Sequence, residues 1–224
     1  MSASSDMFLY WGSGSGPCWM VMITLEEKQL TGYNRKLISF SAKEHKGEDI
    51  MKLNPRGQVP TFKHGEIVLN ESKGICHYLE NQFKHQGTLL IPDAPAQQAL
   101  VLQRMYESEN LKDKGGRNIM YYIWRTPKEK IDEKYLEEKY KELSEEVQIW
   151  EDYLSSEFLC GDTFTMADVY FFPLLAFLVI GGISLESRPN LKRYYGQLST
   201  RPSVVSSWPP HYKETPPTDM FAKC

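Results

Sequence analysis

Apolar residues in the first third of the chain come in two alternating spacings. Phe8-Leu9-Tyr10-Trp11 is a short run of residue types favoured in strands, and Gly12-Ser13-Gly14-Ser15-Gly16 has the composition of a loop. Pro17 suits the first turn of a helix, where its missing N–H has no partner to lose. Val21, Leu25 and the neighbouring Met residues carry an apolar face onward to about Lys28. Residues 36–40 read as a second strand, and a polar helical stretch follows. The run Asn54-Pro55-Arg56-Gly57-Gln58-Val59-Pro60-Thr61-Phe62 then returns the chain to an extended segment. His64-Gly65-Glu66 is a turn between Thr61-Phe62 and Ile67-Val68-Leu69, which predicts a hairpin. Ile75, Leu79 and Phe83 recur at helical spacing in a helix that starts near Glu71-Ser72. Short strands interleaved with helices predict an α/β domain over 1–84.

Across a linker at 85–96 the texture changes, and 97–224 reads as all-helical. One helix is expected over 94–114, with an interruption at Gly115-Gly116, and another over 132–154, whose mixed charges at 134–146 predict a solvated face. Thr165 and Asp168 have the spacing of a capping box. The helix that follows, Val169 to about Ile180, is apolar almost all round and is therefore expected to be central and buried.

Composition narrows the function classes. The 26 basic and 29 acidic residues give a formal charge of -3, with no long block of one sign, which argues against a nucleic-acid or anionic-membrane surface. No run of 18 apolar residues occurs, and Met1-Ser2-Ala3-Ser4-Ser5-Asp6 lacks the basic-then-apolar form of a secretory signal. Cys18, Cys76, Cys160 and Cys224 are too scattered for a disulfide framework, and the five histidines form no metal-binding pair. These features predict a soluble, cytoplasmic protein in a reducing compartment, without metal.

Three segments of the first half now matter together: Ser15-Gly16-Pro17-Cys18-Trp19, the Asn54–Phe62 run with its Val59-Pro60, and Asn70-Glu71-Ser72. With the capped segment ending at Asp168, they resemble the cytosolic glutathione transferases over nearly the whole chain. Within that family the chain is similar to the serine-type enzymes near theta and zeta. Trp11-Gly12-Ser13-Gly14-Ser15 and Cys18-Trp19 followed by Val21-Met22-Ile23 bring it nearest to the rho class of fishes and molluscs. The resemblance implies a thioredoxin-like N-terminal domain that binds glutathione, an all-α C-terminal domain that binds small hydrophobic electrophiles, a homodimer, and glutathione as co-substrate without any other cofactor.

The same resemblance implies the site. A free thiol near pKa 8.5 is mostly protonated at neutral pH, and lowering it by about two units takes roughly 2.7 kcal/mol of thiolate stabilisation. A helix dipole offers about 0.3–1 kcal/mol, whereas a hydrogen bond to a charged acceptor is worth roughly 1.5–3, so a hydroxyl donor is the larger contribution. Ser15 aligns with the family's catalytic serine, and Ser13, two residues earlier, is the second candidate. In isolation either would be an ordinary loop or capping serine.

Val59 before a cis Pro60 is expected to pair with the cysteinyl backbone of glutathione as a short added strand, with Gln58 orienting the peptide. Glu71 is placed for the γ-glutamyl ammonium and Ser72 for its carboxylate; His45 or Lys46 is placed for the glycyl carboxylate. Trp11, Tyr106, Met120, Tyr121 and Trp124 are the candidates for the electrophile, although aromatic stripes are more often core than pocket.

Three other readings compete. Ser15-Gly16-Pro17-Cys18 also resembles a thioredoxin motif that has lost its first cysteine, which leaves a thiol reductase using Cys18, itself more readily read as a packing residue. A zeta-like maleylacetoacetate isomerase would carry a second serine and an arginine where Gly16 and Met20 stand. A non-catalytic protein that stores hydrophobic ligands is the third, and the joint presence of Ser15, Val59-Pro60 and Glu71-Ser72 argues against it.

Overall fold

The computed structural model describes residues 5–214, 216 and 218–224, so Met1–Ser4 of the reading above lie outside the described residues, as do Thr215 and Pro217 of the C-terminal tail. Packing divides the chain into two units. The first comprises Met1–Leu89 and Arg201–Thr215, and the second Leu90–Thr200 and Pro216–Cys224. Residues 201–214 thus pack with the α/β unit, although they follow most of the helical one in sequence.

In the first unit, β1 (Met7–Trp11) alternates buried and half-buried residues, with Met7, Leu9 and Trp11 facing the core. The helix α1 (Gly16–Glu27) follows, with Ser15 as its N-cap and Pro17 in its first turn. β2 (Asn34–Leu37) lies parallel to β1, with Trp11 opposite Leu37. It begins and ends earlier than the 36–40 segment that its apolar residues suggest. The reason is that β2 is an edge strand exposed along its whole length, so its position is set by pairing with β1 and not by alternation. A 3₁₀ turn (Glu44–Lys46) and α2 (Glu48–Leu53) lead to the hairpin of β3 (Thr61–His64) and β4 (Ile67–Leu69). Gly65 closes that hairpin at φ 56, in the left-handed region that glycine adopts without strain. The sheet order is β2-β1-β3-β4, with β3 antiparallel to both neighbours, and α3 (Ser72–Gln82) packs beside α1. This is the thioredoxin-like βαβ–ββα arrangement.

The second unit is helical. α4 (Pro95–Glu107) gives way to a single turn, α5 (Glu109–Leu111), then to a π-helical stretch (Lys112–Met120) and α6 (Tyr121–Arg125). The helix expected over 94–114 therefore ends sooner. The glycine pair lies inside the widened turns: a Cβ on Gly115 would sit 2.7 Å from Leu178, too close for it to stay in place. α7 (Glu133–Tyr153) is capped by the Asp132 carboxylate, which accepts from the Lys134 and Tyr135 N–H groups at 3.0 and 3.1 Å. Its face is less uniformly solvated than the charge pattern implies. Glu146 is buried, paired with Lys114 at 2.9 Å and accepting the Trp150 indole N–H at 3.0 Å.

At the centre of this unit lies α8 (Met166–Ile180), apolar on all sides and buried along most of its length. Its capping box forms around Asp168, which is fully buried. One carboxylate oxygen accepts from the Thr165 N–H at 2.8 Å and the Thr165 hydroxyl at 3.0 Å. The other accepts from the Leu159 N–H at 3.1 Å and the Tyr194 hydroxyl at 3.0 Å. Replacing Thr165 with Ala removes the cap and one of these donors, and should lower stability by about 1–2 kcal/mol, read as a shifted urea midpoint at unchanged slope. α9 (Pro189–Ser199) starts on the buried Glu151 carboxylate, which takes the Asn190 and Leu191 N–H groups at 3.0 and 2.8 Å. α10 (Pro202–Ser207) and α11 (His211–Glu214) belong to the first unit, where α10 lies along α1.

Candidate functional site

The strand-to-helix turn after β1 sets out the hydroxyls. Ser15 has extended φ and ψ of -80° and 107°, and its Oγ accepts the Cys18 N–H at 3.4 Å. The half-buried hydroxyl therefore stands at the open N-terminus of α1, where unpaired N–H groups favour an anion, and no acidic side chain occupies the first turn. The hydroxyl also faces the Cys18 thiol, so its proton is placed for that sulfur or for a ligand's.

Cys18 lies one turn inward and is 1% exposed. Burial pushes its thiol up to about 11, against the opposing pull of the Ser15 hydroxyl and the Gly12 N–H. A thiol held protonated in the core is a poor nucleophile, which argues against a reductase built on Cys18.

Ser13 is differently engaged. Its Oγ lies 2.9 Å from Nδ1 of His211, whose backbone N–H also donates to it at 3.3 Å. Nothing local in the sequence marks His211, 198 positions away.

The Val59–Pro60 peptide is cis, with Val59 half-buried and Pro60 buried. Buried Asn54 holds the approach to it. Its amide donates to the Gln58 carbonyl at 2.9 Å and to the Thr61 hydroxyl at 3.3 Å, while its oxygen receives the Arg56 N–H at 3.1 Å. The Thr61 hydroxyl also donates to the Gln58 carbonyl, at 2.9 Å. Asn54 thus acts as a bracket for the segment 56–61, a function hidden in sequence behind the more conspicuous Val59-Pro60. The Gln58 side chain is exposed.

Glu71 is exposed as the N-cap of α3 without a side-chain cap bond, and Ser72 is the first residue of the helix. His45 is half-buried in the 3₁₀ turn with its ring against Phe40, and its buried Nδ1 has no partner. Lys46 instead donates to the Arg56 carbonyl at 2.7 Å. The fold therefore gathers Ser13, Ser15, the Val59–Pro60 segment and Glu71-Ser72 into the first unit.

Among the electrophile candidates, Trp11 is core of that same unit, only 6% exposed, with the Arg35 guanidinium 5.7 Å over its ring. The other four belong to the helical unit. Tyr106, Tyr121 and Trp124 are 64, 42 and 66% exposed, so they are surface and not core, and Met120 is half-buried. Tyr121 and Trp124 meet edge-on at 6.2 Å, with Arg125 over Tyr121 at 4.6 Å. Among the described residues no group of three potential ligands could hold a metal, and no helix is long and apolar enough to cross a membrane.

Comparison with known proteins gives the same site a family. Residues 15–82 match the model of the glutathione S-transferase N-terminal domain, and 117–202 that of the C-terminal domain. The chain is 49% identical over 216 residues to glutathione S-transferase A of Pleuronectes platessa, covering 95% of this chain and 96% of the relative. A glutathione S-transferase of Hyoscyamus muticus is 28% identical over 198 residues, covering 86% and 93%. The crystal structure of a glutathione S-transferase from the Antarctic clam Laternula elliptica superimposes with a TM-score of 0.90 at 42% identity, over 98% of this chain and 100% of that one. With both domain models matched in order and such identity along nearly its full length, the chain belongs to the glutathione S-transferase family and is itself a glutathione S-transferase.

Proposed function

We propose that this enzyme conjugates the thiolate of glutathione to small hydrophobic electrophiles, a detoxifying reaction, with the Ser15 hydroxyl as the donor that holds sulfur as an anion. The observation that carries the reading is the position of that hydroxyl, at the N-cap of α1 and bonded as an acceptor by Cys18 N–H. The helix end and the O–H proton then act on the same charge. Ser13 is the less suitable donor, because its hydroxyl is already engaged by His211.

In this reading Val59 offers its backbone to the cysteinyl group beside the cis Pro60, and Gln58 orients the peptide. Glu71 and Ser72 take the γ-glutamyl end; His45, with its unpartnered buried nitrogen, takes the glycyl carboxylate in preference to the engaged Lys46. The exposed Tyr106, Tyr121 and Trp124, with Met120, supply adaptable apolar surface for electrophiles, while Trp11 is too enclosed to contribute more than its edge.

The similarity to a plaice and a clam enzyme supports placement in the serine-type rho class. The family supports a cytoplasmic homodimer in which residues 1–84 bind glutathione and 97–224 bind the electrophile. Turnover of glutathione with a chlorinated dinitrobenzene, run beside a peroxide and maleylacetone, tests the assignment. Conjugation should be the fastest of the three. Faster isomerisation of maleylacetone would favour the zeta-like activity, and glutathione binding without any turnover would favour a ligand-storage protein.

A further inference from the structure

The β1–α1 loop is tied down from the other end of the chain. After α10, residues 208–212 return beside α1: the Trp19 indole N–H donates to the Ser207 hydroxyl at 3.0 Å, and the Trp19 ring packs edge-on against Trp208 at 4.9 Å and Tyr212 at 5.9 Å. The far end of α1 is held by the same segment, because the buried Glu27 carboxylate accepts from Arg201 Nε at 2.6 Å, from Arg201 Nη2 at 2.8 Å and from the Ser203 hydroxyl. Between these anchors His211 reaches the loop.

There the contact is specific. Ser13 Oγ receives the His211 backbone N–H and lies 2.9 Å from its Nδ1. Gly14, at φ 84, has no Cβ, and one built there would run into the His211 ring. Burial holds the imidazole below its ordinary pKa, against the opposing charge of Glu214, which favours the neutral ring; a neutral imidazole has one acceptor nitrogen. Ser13 Oγ has one proton and two acceptor sites, so it donates to Nδ1 in the tautomer protonated at Nε2 and accepts from the ring in the tautomer protonated at Nδ1; either way the hydroxyl is taken up by His211.

We propose that His211 is a positioning residue for the glutathione thiolate: it acts through Ser13, taking up that hydroxyl and fixing the loop two residues before the donor Ser15. The proposal rests on the Ser15 reading above. It assigns different magnitudes to the two serines. Ser15 touches sulfur, while Ser13 and His211 act as one unit on the geometry of Ser15.

The test is the pKa of the bound thiol, read from the ultraviolet absorbance of the thiolate in the glutathione complex, with calorimetric Kd alongside. Ser15→Ala should raise that pKa by about one to two units. Ser13→Ala and His211→Ala should each raise it by about half a unit and weaken Kd about 3-fold. The double variant should be no worse than either single one. His211→Asn, whose Oδ1 can stand in for Nδ1, should retain the wild-type value.

A purely structural role would lower the urea midpoint of His211→Ala and leave the bound-thiol pKa untouched, which overturns the proposal. Additive single effects also overturn it, as does Ser13→Ala matching Ser15→Ala, which would make Ser13 the donor. A wild-type thiol pKa in Ser15→Ala overturns the Ser15 reading itself and this inference with it.

Discussion

Ser15→Ala should move the acid limb of the conjugation pH profile upward by about one to two units. A hydrogen bond to a charged sulfur is worth roughly 1.5–3 kcal/mol, and each 1.36 kcal/mol is one pKa unit, so the bound thiol returns toward the free value of about 8.5. The sign follows from which form is stabilised. The hydroxyl favours the thiolate, so its removal raises the pKa and empties the reactive form at every pH below it. Well below both pKa values the thiolate fraction falls about 10- to 100-fold. A more basic thiolate is also more nucleophilic, by about 3-fold per unit at a Brønsted slope of 0.4–0.5, which offsets part of that loss. The net fall in kcat/KM at acid pH is therefore roughly 3- to 10-fold, and it should vanish or reverse above the pKa of the variant. Ser15→Thr, which keeps the hydroxyl, should keep the profile. If Ser15→Ala shows an unshifted profile while Ser13→Ala loses the acid limb, the donor is Ser13.

That the experiment can be framed at single residues reflects what the sequence makes legible. Pro17 marks the start of α1 because a missing N–H is harmless there, and Ser15 caps it for the complementary reason. The hairpin over β3 and β4 and the capping box at Thr165 and Asp168 are likewise local, each expressed within a few neighbouring residues, whereas the cis peptide at Pro60 is expected only through the family resemblance. Features that depend on distant partners are not written locally. β2 is placed by its ladder with β1 and not by its own apolar residues, and the backbone widens at Lys112–Met120 where Gly115 packs closely on Leu178.

The charged residues divide in the same way. Glu146 and Glu151 belong to one charged-looking helix, yet Glu146 is buried on Lys114 and Trp150, and Glu151 caps α9 across 39 and 40 positions of sequence. Helical spacing alone gives no way to tell them from the solvated glutamates beside them. Ser13 is the case closest to function. The repeated Gly-Ser pair leaves it a candidate beside the capping Ser15, and the return of His211 to the loop, which engages Ser13, is not written locally.

Asp168→Asn should be the most destabilising of the conservative substitutions considered, by about 2–5 kcal/mol at pH 7.5. The wild-type carboxylate accepts four hydrogen bonds, two at each oxygen. An amide nitrogen has no lone pair to offer, so one pair of buried donors would face an N–H₂ group, and each unmet buried donor costs about 1–3 kcal/mol. For a chain of this size that is roughly 5–15 °C in Tm.

The pH dependence separates this from simple loss of packing. Burial pushes the Asp168 carboxyl up to about 6 despite its four donors, from an ordinary value of 3.8. A folded-state pKa above the unfolded one means that the folded protein binds the proton more tightly. This contribution to stability is therefore full below about pH 3.8 and is lost as pH rises through about 6. The protonated acid still has lone pairs on both oxygens, which is why it is tolerated where the amide is not. Urea midpoints should therefore carry a downward component between pH 4 and 6 in the wild type that is missing from Asp168→Asn, whose midpoint lies lower at neutral pH. Tyr194→Phe, which removes one donor and leaves three, should cost only about 1–2 kcal/mol and keep the pH component, so the account can be tested even if the amide variant does not fold. A wild-type midpoint for Asp168→Asn at pH 7.5 would mean that the four hydrogen bonds at α8 contribute little to holding the helical unit together.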